Sequence, residues 1–201
     1  MSQIKVLIIE DEPIIAAKIE AALSNIDFEV AGIAYTREQA LRLLSTTYPD
    51  AVLVDINIEG NYEGLEIGKL INEKYQMPFV YLTAHADRDT LAKVKLTNPS
   101  GYIVKPFEEE DLLVNLELAL HKHASLSNNI GQPNYDKINS RINNPLSDRE
   151  IEVVNLIRAG HTNQQMAEEL LLSVNTIKTH ILRIYQKLDV HSRSQLLALL
   201  R

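Results

Sequence analysis

Five short aliphatic runs, at residues 4–9, 28–34, 51–54, 79–82 and 101–104, are each followed by a stretch with helical apolar spacing, at 13–24, 37–46, 65–75, 88–97 and 108–122. This alternation limits the fold more than any other feature of the chain. Neighbouring parallel strands are joined by crossovers, and a helix is the usual crossover. Runs such as Val6-Leu7-Ile8-Ile9 and Ala51-Val52-Leu53-Val54 are apolar at every position. A strand with no polar face is suited to burial between two helical layers. Residues 1–124 are therefore expected to form one α/β domain, a five-stranded parallel sheet wound on both faces.

The pattern stops there. Residues 125–144 are rich in Asn and Ser, include Gly131 and Pro133, and show no sustained apolar period, which predicts a linker. From Pro145 the spacing is helical only. Ser147 with Glu150 three residues on is a capping box, opening a helix through Ile151, Val154, Ile157 and Arg158 that Gly160 ends. A short helix at 163–170 follows. Ser173 then caps a helix through Ile177, Ile181, Ile184 and Leu188, and a last helix at 193–200 carries Leu196, Leu197 and Leu200. Residues 145–201 thus read as a small all-α unit with the outline of a helix-turn-helix.

The chain has no cysteine, which excludes disulfides, thiolate catalysis and Cys-ligated zinc or iron–sulfur sites. Its aliphatic runs fall far short of the roughly 18 residues of a membrane span. Residues 1–12, with one lysine, four apolar residues and then Glu10-Asp11-Glu12, are unlike a secretory signal. A cytoplasmic protein without a membrane partner is expected. The net charge of −7 is unevenly spread. Residues 1–124 hold 11 basic and 20 acidic side chains, whereas 173–201 hold Lys178, Arg183, Lys187, Arg193 and Arg201 against Asp189 alone. An acidic module joined to a locally basic one points to two different partners.

In an open α/β sheet, ligands lie beyond the carboxyl ends of the strands. Those ends carry Glu10 and Asp11 after the first strand, Asp55 after the third, Thr83 after the fourth, and Lys105-Pro106 after the fifth. Converging carboxylates repel unless a cation neutralises them. An all-oxygen set of this kind suits hydrated Mg²⁺.

Glu10-Asp11, Asp55, Thr83 and Lys105-Pro106, in this order at their strand ends, resemble the signature of a response-regulator receiver domain over about 120 residues. The resemblance implies a flavodoxin-like (βα)5 fold with Asp55 as phosphoacceptor. It also implies that Glu10, Asp11, Asp55 and the backbone carbonyl of Asn57 hold Mg²⁺. Thr83 and Lys105 would contact the phosphoryl oxygens. Tyr102 takes the aromatic switch position, turning inward as Thr83 moves toward the phosphate. Two features differ from the commonest pattern: the acidic pair is Glu-Asp, and the loop after Asp55 (Ile56 to Gly64) lacks a frequent proline.

Residues 145–201 resemble the LuxR/NarL-type helix-turn-helix. The resemblance is carried by Leu146-Ser147-Asp148-Arg149-Glu150, Ala159-Gly160-His161-Thr162-Asn163, the run from Ser173 to His180, and the run from Lys187 to Arg193. It implies that residues 174–188 enter the DNA major groove, with Asn175, Thr176, Lys178 and Thr179 as contacts and Arg183 and Lys187 on the backbone. Leu182, one turn beyond Lys178 where relatives often place a polar reader, would either narrow specificity or favour a thymine methyl. The last helix would pair two copies on a pseudo-palindromic site, with some of Leu196, Leu197, Leu199 and Leu200 at that surface and the others packed inward within the monomer.

The combined expectation is a two-component response regulator. It would take a phosphoryl group on Asp55 from a sensor histidine kinase, a phosphotransfer protein or a small phosphodonor, and act as a homodimer on double-stranded DNA. Its own chemistry would stop at Mg²⁺-dependent self-phosphorylation and slow autodephosphorylation. An aspartyl-phosphate hydrolase would need a general acid two residues after the nucleophile, and that position is Asn57. Two other readings stand beside it: a helical tail that binds protein, and DNA binding that ignores phosphorylation.

Overall fold

The computed structural model describes residues 3–24, 27–84, 88–128 and 133–200. The chain divides into two compact units, Lys5–Leu120 and one built around His121–Arg201.

The first unit is the expected α/β domain. Strands β1 (Ile4–Ile9), β2 (Phe28–Ala34), β3 (Ala51–Asp55), β4 (Phe79–Thr83) and β5 (Gly101–Val104) form one sheet in the order β2-β1-β3-β4-β5. The pairs β1–β3, β3–β4 and β4–β5 are parallel. Helices α1 (Pro13–Leu23), α2 (Arg37–Thr46), α3 (Glu63–Leu70), α4 (Arg88–Leu96) and α5 (Glu109–Asn128) connect or follow them. Every residue of β3 and β4 is buried, whereas the edge strands β2 and β5 are largely half-buried or exposed. The central strands supply most of the core, with Leu7, Ile9, Val52, Val54, Phe79 and Tyr81 packed against Ile67 and Ile71 from the α3 side. Each buried aliphatic side chain contributes about 1.5–3 kcal/mol.

The strands run slightly further than their apolar runs. Asp55 still pairs with Leu82, and Thr83 with Val104, so the ladder holds both polar residues at its carboxyl edge. Beyond α3, one π-helical turn, Ile71–Tyr75, closes on Gln76 at φ 49°.

The stretch expected as a linker, 125–144, carries helical structure on either side of residues 129–132, which lie outside the described residues. α5 runs on to Asn128, and Ala124 is buried in the helical unit's core. A further helix, α6 (Tyr135–Asn139), is capped by the Asn134 side chain. Tyr135, Ile138 and Ile142 pack on the same core, and the Tyr135 hydroxyl donates to Asn155 Oδ1 at 2.6 Å. Isolated apolar residues in a polar stretch join a core where they come within contact distance of its buried side chains.

Helices α7 (Asp148–Arg158), α8 (Asn163–Leu170), α9 (Val174–Leu188) and α10 (Arg193–Leu199) complete the unit. The Ser147–Glu150 capping box forms, and Thr162 with Gln165 makes a second one ahead of α8. Gly160, at φ 86°, ends α7: its N–H reaches the Ile157 carbonyl and that of His161 the Leu156 carbonyl, the paired bonds of a Schellman motif. A Cβ at Gly160 would lie 2.6 Å from His121 Cα, so the close packing of α5 here requires glycine. Of the four leucines expected to pair two copies, Leu196, Leu197 and Leu200 are buried in the domain core and only Leu199 is exposed, at 50%.

Candidate functional site

Five strand-end residues converge at the carboxyl edge of the sheet. Lys105 Nζ lies 2.6 Å from Asp55 Oδ2 and 2.6 Å from Glu10 Oε2. One ligand atom from each of Glu10, Asp11 and Asp55 lies within 4.8 Å of the others. Glu10, Asp55 and Thr83 are buried, and Asp11 is half-buried. Backbone amides fix the carboxylates: Asn57 N–H donates to Asp55 Oδ1 at 3.1 Å, Glu59 N–H to Asp11 Oδ2 at 2.9 Å, and Glu12 N–H to Glu10 Oε1 at 3.3 Å.

The loop without its frequent proline is ordered by another device. Ile58 and Asn61 exchange both backbone hydrogen bonds at 3.0 Å, and the two residues between them, Glu59 and Gly60, have φ of 55° and 76°. Positive φ at both central positions is the signature of a type I′ turn. The turn aims Glu59 N–H at Asp11.

Three carboxylates face one ammonium. Burial pushes the Glu10 carboxyl up to about 7, the Asp55 charge adds to this, and Lys105 opposes it. Burial alone would lower the Lys105 pKa, but its bonds to Asp55 and Glu10 prevail and raise it. A buried acidic set with hard oxygen donors matches what a divalent cation such as Mg²⁺ requires.

Tyr102 is 49% exposed on the edge strand β5, beside the buried Tyr81 of β4, so its ring is half open to solvent. Ala84, beside Thr83, is exposed and small, leaving the carboxyl edge open. Sequence reading missed Gly64. A Cβ there would lie 1.9 Å from the Asp55 carbonyl oxygen. Glycine at the start of α3 lets the helix seat directly on the phosphoacceptor candidate. The signal was present as a Gly nine residues after Asp55, but only the packed helix gives it meaning.

In the second unit, Ser173 Oγ accepts from Thr176 N–H and starts α9. Asn175, Thr176, Thr179, His180 and Arg183 line a 310 Å³ concavity on its outer face. Asn175, Thr179, Leu182 and Arg183 are exposed, and Lys178 and Thr176 are half-buried. Burial holds the His180 imidazole below its ordinary value, with Arg183 and Arg149 acting the same way and Glu150 against.

Lys187 departs from this group. Its Nζ donates to Glu150 Oε2 at 2.7 Å and to the Pro145 carbonyl at 2.9 Å. Arg193, counted above in the basic tail, is buried and donates to the His161 carbonyl at 2.7 Å and to Asn163 Oδ1 at 2.9 Å. That leaves Arg183, exposed, and Lys178, half-buried, as the other cations of α9. Among the described residues, no helix is long and apolar enough to cross a membrane.

Residues 6–117 match the family model of the response regulator receiver domain, and residues 144–200 that of the bacterial regulatory proteins of the luxR family. The transcriptional regulatory protein LiaR of Bacillus subtilis is 30% identical over 199 residues, covering 96% of this chain and 94% of that one. A nitrate/nitrite response regulator protein homolog of Haemophilus influenzae is 29% identical over 196 residues, covering 95% and 93%. Among solved structures, the signal receiver domain of a modulated diguanylate cyclase from Desulfovibrio desulfuricans is 30% identical with a TM-score of 0.58, covering 62% of this chain and 99% of that one.

Proposed function

The chain belongs to the two-component response regulators that join a receiver domain to a LuxR-family DNA-binding domain, and from that premise we propose that Asp55 is its phosphoacceptor and α9 its DNA-reading helix. Members of this family regulate transcription, and the two domains imply a kinase and double-stranded DNA as partners.

The observation that carries the reading is the placement of Lys105 Nζ, 2.6 Å from both Asp55 and Glu10, on a buried acidic site at the sheet's carboxyl edge. An Asp55 carboxylate oxygen attacks the donor's phosphorus. The new P–O bond forms as the bond to the leaving group breaks, and the leaving group takes its electron pair and a proton from solvent. Glu10, Asp11, Asp55 and the Asn57 carbonyl would hold Mg²⁺, which supplies charge neutralisation to the phosphoryl oxygens. Lys105 exchanges its bond to Asp55 for one to a phosphoryl oxygen, and the Thr83 hydroxyl donates to another. As Thr83 shifts, the exposed Tyr102 ring turns inward, biasing a two-state equilibrium. Water later hydrolyses the acyl phosphate slowly.

In the output domain, Asn175, Thr176, Lys178, Thr179 and Arg183 contact DNA, and Lys187 serves the Glu150 pair instead. Phosphorylated chains act as a homodimer on paired half-sites in the cytoplasm. The segment between the two family matches, 118–143, joins the phosphorylated and DNA-binding modules, and from His121 on it belongs to the helical unit.

Incubation with acetyl phosphate and Mg²⁺, followed by intact-mass and peptide analysis, tests the first half of this reading. It predicts one added phosphoryl group on Asp55 and none in Asp55→Ala. Modification that persists in Asp55→Ala would overturn it.

A further inference from the structure

Helix α1 carries a lysine for which the chemistry above has no use. Lys18 Nζ donates a 2.5 Å hydrogen bond to the Phe107 carbonyl and stands 5.2 Å from the centre of the Phe107 ring. Phe107 is only 4% exposed, so the ring is anchored in the core while the lysine closes over it from the solvent side. Phe107 lies two residues beyond Lys105, and α1 begins directly after the Glu10-Asp11-Glu12 run. One side chain therefore ties the helix that follows the acidic pair to the loop that presents the ammonium facing it.

We propose that Lys18 is a positioning residue for phosphorylation: by pinning the 106–107 backbone to α1, it holds Lys105 Nζ between Asp55 and Glu10. The inference rests on the Asp55 reading above. Lys105 is a long, flexible side chain whose aim depends on where its own backbone is held. A displacement near 1 Å in a reacting geometry is enough to slow a transfer that depends on positioning. Lys18 supplies two contacts of different kinds, a charge-assisted hydrogen bond to a carbonyl and a cation over a ring. Both depend on the ammonium and neither on the aliphatic stem. Replacing it with methionine removes both while keeping length and helix propensity.

The test compares full-length wild type, Lys18→Met, Lys18→Arg, Lys105→Met and the double variant Lys18→Met/Lys105→Met. The rate of acetyl phosphate modification at Asp55 is read by mass, and amide exchange of the 105–108 segment is read without phosphodonor or Mg²⁺. The expected result is a roughly three- to tenfold slower modification in Lys18→Met, with faster exchange at 105–108. Lys18→Arg should recover most of both. In the Lys105→Met background, Lys18→Met should add no further slowing, because its effect passes through Lys105. Equal slowing in both backgrounds, or unchanged rate and exchange in Lys18→Met, would overturn the proposal. Failure of the wild type to be modified at Asp55 would instead sink the phosphoacceptor reading, and this inference with it.

Discussion

Gly64 opens helix α3 against the backbone of Asp55, so closely that a Cβ at Gly64 would lie 1.9 Å from the Asp55 carbonyl oxygen and 2.8 Å from its carbonyl carbon. The obstacle is backbone on both sides, so no side-chain rotation relieves it. Gly64→Ala is expected to push α3 away from β3, costing about 2–3 kcal/mol by overpacking. Because the displaced atoms belong to Asp55, modification by acetyl phosphate should slow as well. Urea titration and the modification rate check the two effects; a Gly64→Ala protein with unchanged midpoint and rate would contradict this contact.

The Glu150–Lys187 pair makes the output domain acid-sensitive. Glu150 is buried, and although burial raises its pKa, the bonds from Lys187 and Ser147 prevail and hold it below the ordinary value of 4.5. A depressed carboxyl pKa stabilises the fold above the unfolded value, and that stability is lost as pH falls through the folded one. Calorimetry should therefore show the helical unit losing stability as pH drops below about 4.5, with Glu150→Gln less stable at neutral pH and flatter in its acid response. Lys187→Met, which strands a buried charge, should cost about 2–3 kcal/mol at pH 7.

The same pair separates two cations on one helix. Lys178 on α9 has no such internal partner among the bonds described above, while Lys187 is held by Glu150 and Pro145. Releasing a counterion from DNA contributes about 0.9 to the slope of log K against log salt for each phosphate neutralised. If Lys178 contacts a phosphate, Lys178→Ala lowers that slope by about 1. Lys187→Met leaves the slope as it is in the wild type, whatever it does to stability. Gel-shift titrations at several salt concentrations read both; a slope change in Lys187→Met alone would reverse the assignment.

Much of this architecture is legible in the sequence because its signals are local. Apolar runs such as 51–54 suit central strands, and Ser147 and Ser173 each cap a helix within three residues of themselves. The strand-end carboxylates are equally legible, since strand ends place them at one edge. What escapes is set by distant partners. Lys187 and Glu150 are 37 residues apart, and Arg193 meets Asn163 across 30, so a basic count along the tail overstates the charge available to DNA. Tyr135, Ile138 and Ile142 look like a linker until a core is there to receive them. The turn at Ile58–Asn61 escapes because it places Glu59, a residue with no preference for positive φ, in the left-handed region.

Leu182 is 50% exposed on the same outer face of α9 as Asn175 and Thr179. If this face reads DNA, an exposed leucine among its polar side chains would offer the thymine C5-methyl an apolar partner. A duplex selected from a random library should bind more weakly when thymines in the half-site are replaced by deoxyuridine, which removes only the methyl. The expected loss is about 1 kcal/mol at the contacted position. Leu182→Ala should bind the two duplexes equally; continued discrimination by that variant would place the methyl contact elsewhere.

A phosphoryl group on Asp55 is expected to change what the output domain does. Affinity for the selected duplex, measured on full-length protein with Mg²⁺ before and after acetyl phosphate, tests it most directly, with Asp55→Ala alongside. Phosphorylation should tighten binding about tenfold, with no response in Asp55→Ala. Equal affinity in all three states, with Asp55 shown by mass to be modified, would contradict it.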